Sequence, residues 1–118
     1  MASTDKLKIC LASSELAPLA KTGGLADVNS ALSAYLHQQG HDIRVLLPFY
    51  SALNRADLDI EPVADLQNLI VRIGTRDIEY SIDRGTPQTN GAPVYLLRCP
   101  EFYDRPGFYT SEADEHLR

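Results

Sequence analysis

The first half of the chain switches between two hydrophobic patterns. Residues 7–12 (LKICLA) form a short, mostly apolar run, which is typical of a strand buried on both faces. Residues 43–47 (IRVLL) form a second such run, closed by Pro48. Between the two runs, apolar residues recur every three or four positions and mark one stripe of a helix: Leu25, Val28, Leu32, Tyr35 and Leu36. The pattern predicts a strand, a helix and a second strand.

The predicted helix carries a signal at each end. Asp27 falls in its first turn, where a carboxylate suits the positive end of the helix dipole. Gly40 predicts a cap at the C-terminal end. The helix and its flanking strands have the length of one βαβ crossover, so we expect parallel strands joined by a right-handed connection.

The second half of the chain is patterned as strands. Apolar residues alternate at positions 69–73 and again at 78–82. Gly74 and Thr75 lie between these runs and predict the turn of a hairpin. Residues 94–99 (VYLLRC) predict a further strand.

The remaining segments are more polar. We expect residues 51–65 to form an irregular connection with one helical turn, and residues 84–93 to be turn-rich and exposed. Ser111 and Asp114 are placed to cap a helix that has barely begun. An α/β sheet needs helices on both faces, yet the pattern predicts one long helix. One hypothesis is that the chain is the first part of a larger protein; the other is that its tail is a frayed terminus.

Composition narrows the class of protein. The 118 residues fit one domain, and a content of 44% hydrophobic and 23% charged residues is typical of a soluble globular chain. A net charge of -5 argues against a surface that coats nucleic acid. No segment reaches the roughly 18 apolar residues of a membrane span, so we expect neither a nucleic acid nor a membrane as partner.

The two cysteines point to a reduced compartment. Cys10 and Cys99 form no CxxC pair, so neither a metal site nor a redox motif is predicted. Cys10 lies in an apolar run and is expected to be a buried small hydrophobic residue. The N-terminus lacks the apolar stretch of a secretory signal, so we expect a cytoplasmic protein.

A lysine and a glycine pair stand where the first strand passes into the helix. The start of a helix offers backbone N–H groups and a partial positive charge to anions. Gly23 and Gly24 let a ligand approach the backbone closely, and Lys21 adds a full charge. These residues predict a phosphate or diphosphate site at the end of a parallel strand, where open α/β sheets bind ligands. KTGGLAD fits neither a Walker loop nor a dinucleotide fingerprint, so a turn with a solvated lysine is the alternative.

Three blocks of sequence carry a resemblance to a known family. Residues 13–28 (SSELAPLAKTGGLADV) closely resemble the N-terminal signature of bacterial glycogen synthases and plant starch synthases: a Ser-Glu pair, a proline, then K-x-G-G-L-x-D-V. Residues 44–50 (RVLLPFY) are similar to the family's second strand, and residues 95–109 (YLLRCPEFYDRPGFY) to a strand with a Tyr-Asp-Arg-Pro-Gly loop. Ser33 stands where the family often has a proline, away from the glycine pair.

The resemblance implies an α/β fold, the N-terminal portion of a Rossmann-like domain in a two-domain glycosyltransferase of the GT-B type. In this chain it comprises a βαβ unit followed by a hairpin-rich segment. Residues 1–118 are then a partial catalytic domain, with no second domain present. The implied reaction transfers glucose from ADP-glucose to the non-reducing end of an α-1,4-glucan with retention, and the family needs no metal or other cofactor.

The resemblance also implies roles for individual residues. Lys21 lies near the donor phosphates, while Gly23 and Gly24 give the diphosphate and glucose access to the backbone. Asp27 faces the sugar side of the cleft, and Glu15 belongs to the signature as a support for the loop. The family's catalytic residues lie beyond position 118, so none is assigned here and the isolated chain is expected to be inactive.

Some alternatives stay open at this point. The chain is either part of such a synthase, or a non-catalytic module that binds a nucleotide sugar or self-associates through an unfinished sheet edge. ADP-glucose or UDP-glucose as donor, and glycogen or starch as product, are not distinguished by these residues.

Overall fold

The computed structural model describes residues 5–56, 58–87 and 91–103. These residues form a mixed α/β structure, as expected. Its elements in chain order are β1 (Lys8–Ala12), α1 (Gly24–Gln38), β2 (Asp42–Pro48), β3 (Leu58–Pro62), a 3-10 turn (Ala64–Leu66), β4 (Leu69–Ile73), β5 (Arg76–Pro87), β6 (Val94–Arg98) and the short α2 (Pro100–Tyr103).

The strands form a six-stranded sheet in the order β1-β2-β6-β5-β3, and β4 pairs with β5 outside this path. β1, β2 and β6 are parallel, while β5 runs antiparallel to β3, β4 and β6. The predicted βαβ unit is therefore confirmed, with Cys10 beside Arg44 in its register. The predicted hairpin is confirmed too, and Gly74 has a φ of 64° at its turn, in the left-handed region that favours glycine.

Two predictions about connections were wrong in part. Residues 51–65 lead into the expected helical turn, at Ala64–Leu66, but they also contain the strand β3. β5 continues to Pro87 through the first part of the segment expected to be a turn. The two strands support each other, since Leu58 pairs with Pro87 and lies against Gly85. A Cβ built on Gly85 would be 2.8 Å from Leu58 Cδ2. Pairing across the sheet thus outweighed the local turn preference of the sequence RGTP. The helix cap expected at residues 111–114 lies outside the described residues.

The core lies on one face of the sheet. Ile43, Val45 and Leu47 of β2 and Leu96 of β6 are at most 1% exposed, and they lie on the side that α1 covers. Their neighbours along β2 are exposed or half-buried on the other side, where the described residues contribute no long helix.

β1 is consequently not buried on both faces as predicted. Its residues alternate between exposed and half-buried, because successive side chains point to the uncovered and the covered face of the sheet in turn, and β1 is the edge strand of the described sheet. Cys10, predicted to be buried, is exposed. It lies on the uncovered side of the sheet, next to Arg44 of β2.

α1 faces the sheet with small residues and not with its apolar stripe. Ala26, Asn29 and Ser33 are its buried residues. The predicted stripe exists, but four of its members are 44–62% exposed: Leu25, Val28, Leu32 and Tyr35. Only Leu36 packs partly against the core. Small side chains let a helix lie close to a sheet, and two of these also carry polar groups that bond to nearby backbone.

The C-terminal end of α1 matches its prediction. Gly40 has a φ of 88°, and its N–H donates to the carbonyl of His37 at 3.0 Å. The N–H of His41 donates to the carbonyl of Leu36 at 3.2 Å. These two bonds form a Schellman motif, the ending that a glycine at this position favours.

Candidate functional site

The segment between β1 and α1, residues 13–23, is held closely to the rest of the molecule. The Ser13 N–H donates to the carbonyl of Leu46 on β2 at 3.0 Å. Leu16 and Ala20 exchange two backbone hydrogen bonds of 2.9 Å, which close a small loop around the intervening residues. We call residues 13–23 the β1–α1 loop. It lies at the carboxyl end of the parallel strand β1, where the sequence predicted an anion site.

The glycine pair lies at an open end of α1. Gly23 is the N-cap residue, with an extended backbone, and it makes no side-chain capping bond. Both glycines are exposed, and within the described part of the chain a Cβ built on either one meets no atom within 4 Å. The first N–H groups of a helix have no acceptor inside the helix. This entrance therefore has room for an anion, and no described side chain plugs it.

Lys21 and Asp27 are brought together at this entrance. The Lys21 Nζ lies 2.9 Å from both carboxylate oxygens of Asp27. Both side chains are about half-exposed, at 50% and 56%. Sequence reasoning placed the lysine on a phosphate and the aspartate on a sugar, and it did not foresee their ion pair. An exposed ion pair of this kind contributes about 0–1 kcal/mol, so it holds the ammonium near the helix end without fixing it there.

Glu15 is a buried residue of the β1–α1 loop, with 5% of its surface exposed. One carboxylate oxygen accepts the backbone N–H of Thr22 at 2.9 Å, and the other accepts the Thr22 hydroxyl at 2.9 Å. A buried carboxylate is costly unless donors satisfy it, and here a single residue supplies two. The carboxylate thus contacts the residue that stands between Lys21 and the glycine pair.

Asn29 is a site residue that sequence reasoning missed. It is 8% exposed on the buried side of α1, and its Nδ2 donates to the Ser13 hydroxyl and, at 3.1 Å, to the Glu15 carbonyl. The Ser13 hydroxyl also donates to that carbonyl at 2.9 Å. The available signal was the spacing of small and polar residues on one face of the helix, Ala26, Asn29 and Ser33, which is as regular as that of the apolar stripe.

The core supports the loop from below. The hydroxyl of Tyr50, a residue that is 1% exposed, donates to the carbonyl of Ser14 at 3.0 Å. Tyr103 packs edge-on against Tyr50 with ring centroids 5.6 Å apart. Tyr103 is thus a packing residue.

Other polar groups connect strands of the sheet and lie outside the β1–α1 loop. Asp83 is buried and accepts from Arg98 Nε at 3.0 Å, and this hydrogen bond raises the pKa of Arg98. Burial raises the pKa of the Cys99 thiol above its ordinary value.

In residues 5–56, 58–87 and 91–103, no His, Cys, Asp or Glu side chains gather in a group that could hold a metal ion. None of the helices in the same ranges is long and apolar enough to span a membrane.

Known proteins resemble this chain over most of its length. The model of the starch synthase catalytic domain family matches residues 8–118. The glycogen synthase of Aeromonas salmonicida is 46% identical over 105 residues, which cover 89% of this chain and 21% of that protein. The glycogen synthase of Syntrophotalea carbinolica is 39% identical over 109 residues, covering 92% of this chain and 22% of that protein. The chain thus spans about a fifth of the length of these curated relatives.

A solved structure agrees with these relatives. The catalytic domain of starch synthase IV from Arabidopsis thaliana, bound to ADP and acarbose, superposes with a TM-score of 0.81 at 27% identity. The match covers 93% of this chain and 22% of that one. It confirms the expected α/β fold of a GT-B glycosyltransferase domain. The chain belongs to the family of the starch synthase catalytic domain.

Proposed function

We propose that this chain supplies the donor-binding side of a synthase that transfers glucose from ADP-glucose to the non-reducing end of an α-1,4-glucan, with retention at the anomeric carbon. One observation carries the proposal: the open start of α1 stands beside the Lys21 ammonium in a chain of the starch synthase family. The Arabidopsis relative is described as bound to ADP and acarbose, a nucleotide and an oligosaccharide analogue, which supports this pair of ligands.

The chemistry of the donor explains what this entrance contributes. Breaking the bond between glucose and ADP builds negative charge on the leaving phosphate. Preorganised N–H groups and an ammonium stabilise that charge more strongly in the transition state than in the ground state. In this proposal the Gly23 and Gly24 backbone receives the diphosphate, Lys21 leaves its ion pair to contact it, and Asp27 is released to face the sugar hydroxyls.

The proposal assigns no catalytic residue to residues 1–118. It treats them as a partial domain of a two-domain enzyme, so that the reacting atoms lie in a cleft to which this chain contributes one side. The alternative of a non-catalytic module is not favoured, since the relatives from Aeromonas salmonicida and Syntrophotalea carbinolica are named glycogen synthases. We also propose a cytoplasmic location, supported by two free cysteines.

Self-association is a second candidate. Among the described residues, β1 pairs with β2 alone, which leaves the other side of this strand as a sheet edge. Sedimentation of the complete gene product tests this candidate, because a monomer at micromolar concentration contradicts it.

The proposed reaction is tested with the complete gene product. Purified protein is incubated with glycogen and with either ADP-glucose or UDP-glucose labelled in the glucose, and label is counted in the precipitated glucan. We expect incorporation from ADP-glucose and its release by an enzyme that removes α-1,4-linked glucose from non-reducing ends. No incorporation from either donor, together with no heat of binding for ADP-glucose, would overturn the proposal.

A further inference from the structure

We infer that Glu15, Thr22 and Asn29 form a positioning clamp that sets the geometry of the donor-binding entrance. The inference rests on the proposed function of the β1–α1 loop in binding the donor. It adds two residues, Thr22 and Asn29, and it gives a physical role to the buried carboxylate of Glu15. None of the three is proposed to contact the reacting atoms.

The first part of the clamp is the attachment of Thr22. Its backbone N–H and its hydroxyl both donate to Glu15, each at 2.9 Å to a different oxygen. The N–H of Thr22 is therefore committed to the protein, and the N–H groups offered to an anion begin after it. Hydrogen bonds to an ionised acceptor are roughly twice as strong as neutral ones. These two bonds hold the backbone of Thr22 in place, and with it the positions of Lys21 and Gly23 on either side.

The second part is the attachment of Glu15 itself. Its carbonyl accepts from Asn29 Nδ2 at 3.1 Å and from the Ser13 hydroxyl at 2.9 Å, and its N–H donates to that hydroxyl at 3.2 Å. Asn29 lies on α1 and is 8% exposed, so its amide is held by the packing of the helix on the sheet. The position of α1 thus determines the position of the Glu15 backbone.

These contacts form a closed path. It runs from Asn29 on α1 to Glu15, from Glu15 to Thr22, and from Thr22 along the backbone through Gly23 into the start of α1. A loop tied at both ends to one rigid helix has few conformations. Lys21 and the glycine pair are therefore held in place before a donor arrives, which lowers the entropic cost of binding and of reaching the transition state.

Thr22 itself is exposed, but the burial of its acceptor Glu15 makes the bond from the Thr22 hydroxyl the sensitive point of the clamp. Glu15 is 5% exposed, so the oxygen that loses a hydroxyl donor is poorly placed to recover it from water. Thr22→Val keeps the branched shape and the backbone N–H but removes this donor. Thr22→Ser keeps the donor. Ser33→Ala is the matched control, because Ser33 is a buried α1 residue whose hydroxyl bonds to Ser30 of the same helix and not to the loop.

The kinetic test uses the complete gene product with ADP-glucose and glycogen. We expect Thr22→Val to lower kcat/KM for the donor by about tenfold to a hundredfold, with the KM for glycogen unchanged. The kcat/KM of Thr22→Ser should lie within about threefold of the wild-type value, and that of Ser33→Ala within about twofold. A wild-type kcat/KM in Thr22→Val overturns the clamp and leaves the proposed function standing.

A second readout does not depend on activity. Trypsin cleaves after Lys21, at the bond that the clamp restrains, and the fragments identify this cut by mass. We expect cleavage there to be about tenfold faster in Thr22→Val than in wild type and unchanged in Ser33→Ala. If the wild type transfers no glucose, the proposed function fails and this rate alone decides the clamp. Equal rates in Thr22→Val and wild type overturn it.

A double variant of Glu15 and Thr22 tests whether the two residues act through the same contact. Glu15→Gln conserves the volume of the side chain but removes the charge that strengthens both bonds. If the clamp is right, cleavage in the double variant Glu15→Gln/Thr22→Val is no faster than in the more affected single variant, because both changes break the same contact. Fully additive effects would mean that the residues act independently, and would overturn the clamp even if one single variant folds poorly.

Discussion

The ammonium of Lys21 lies 2.9 Å from both carboxylate oxygens of Asp27, one turn inside the helix that Lys21 precedes. The pair stands at the entrance whose N–H groups are proposed to bind a diphosphate. Because both side chains are about half-exposed, water screens the pair and it contributes about 0–1 kcal/mol. A diphosphate carries more negative charge than one carboxylate, so it is able to take the ammonium from Asp27.

Removal of the ammonium should slow the reaction. We expect Lys21→Ala to lower kcat of the complete enzyme by about 10²-fold, the scale of losing one donor to a developing anion. The matched control is Lys8→Ala, since Lys8 is an exposed lysine at the opposite end of β1. Turnover is measured by label transfer to glycogen. A normal turnover in Lys21→Ala, with a lowered melting temperature, would make Lys21 a structural residue.

Neutralising the aspartate should separate binding from transfer. Asp27→Asn removes the competitor for Lys21, so we expect ADP to bind several-fold more tightly by calorimetry. The same change removes the carboxylate proposed to face the sugar, so glucose transfer should fall. Unfolding in urea should change by less than about 1 kcal/mol, because the ion pair is exposed. Weaker binding of ADP would contradict this account of the pair.

The glycine pair should tolerate a methyl group in the free protein but not in the complex. In the described structure a Cβ on Gly23 or Gly24 meets open space, so Gly23→Ala and Gly24→Ala should leave the melting temperature nearly unchanged. The same methyl group would occupy the space proposed for the donor. We therefore expect KM for ADP-glucose to rise about tenfold, as for other losses of close contact. An unchanged KM would exclude close approach of the donor to this backbone.

Gly85→Ala should lower stability without affecting donor binding, and it serves as the control for the Gly23 and Gly24 variants. Its Cβ would be 2.8 Å from Leu58 Cδ2, in the pairing of β3 with β5. Overpacking of this kind costs about 1–3 kcal/mol. We expect a lower urea midpoint with no change in KM for the donor.

The two thiols should react very differently. Cys10 is exposed, whereas Cys99 is buried, and burial raises the pKa of the Cys99 thiol above about 9, its ordinary value. Iodoacetamide attacks thiolates, so in the folded 118-residue chain at pH 8 we expect mass spectrometry to find Cys10 modified and Cys99 intact. Equal modification of both, without denaturant, would contradict the burial of Cys99.

The same pKa shift predicts a direction for stability. A raised pKa in the folded state means that the folded chain releases the thiol proton less readily than the unfolded chain does. Well below pH 9 the Cys99 thiol is protonated in both states, so it adds no pH dependence to the free energy of unfolding. Above that value the unfolded state loses its proton first and stability falls. We expect the free energy of unfolding to decline more steeply above pH 9 in wild type than in Cys99→Ala, measured by urea titration.

Local signals in the sequence predicted the local structure well. The two apolar runs and the spacing between them gave the βαβ unit, and Gly40 and Gly74 end a helix and a strand where a positive φ is needed. The KTGGLAD stretch, with the blocks around it, was specific enough to indicate the family. These features depend on residues close together in the chain, so periodicity, turn chemistry and motif spacing are sufficient to predict them.

Long-range packing decided the rest. The apolar stripe of α1 was correctly identified, yet Ala26, Asn29 and Ser33 are the residues that α1 buries, because small side chains allow close approach and Asn29 donates a hydrogen bond to the β1–α1 loop. β3 and the end of β5 exist because each pairs with the other. The contacts of Glu15 with Thr22 and of Lys21 with Asp27 likewise depend on how the loop folds back onto the helix. The sequence alone determined that Lys21, the glycine pair and Asp27 lie at the start of α1. The tertiary structure decided which residues touch and brought in Asn29, since hydrogen-bond partners are set by distances that one-dimensional patterns do not contain.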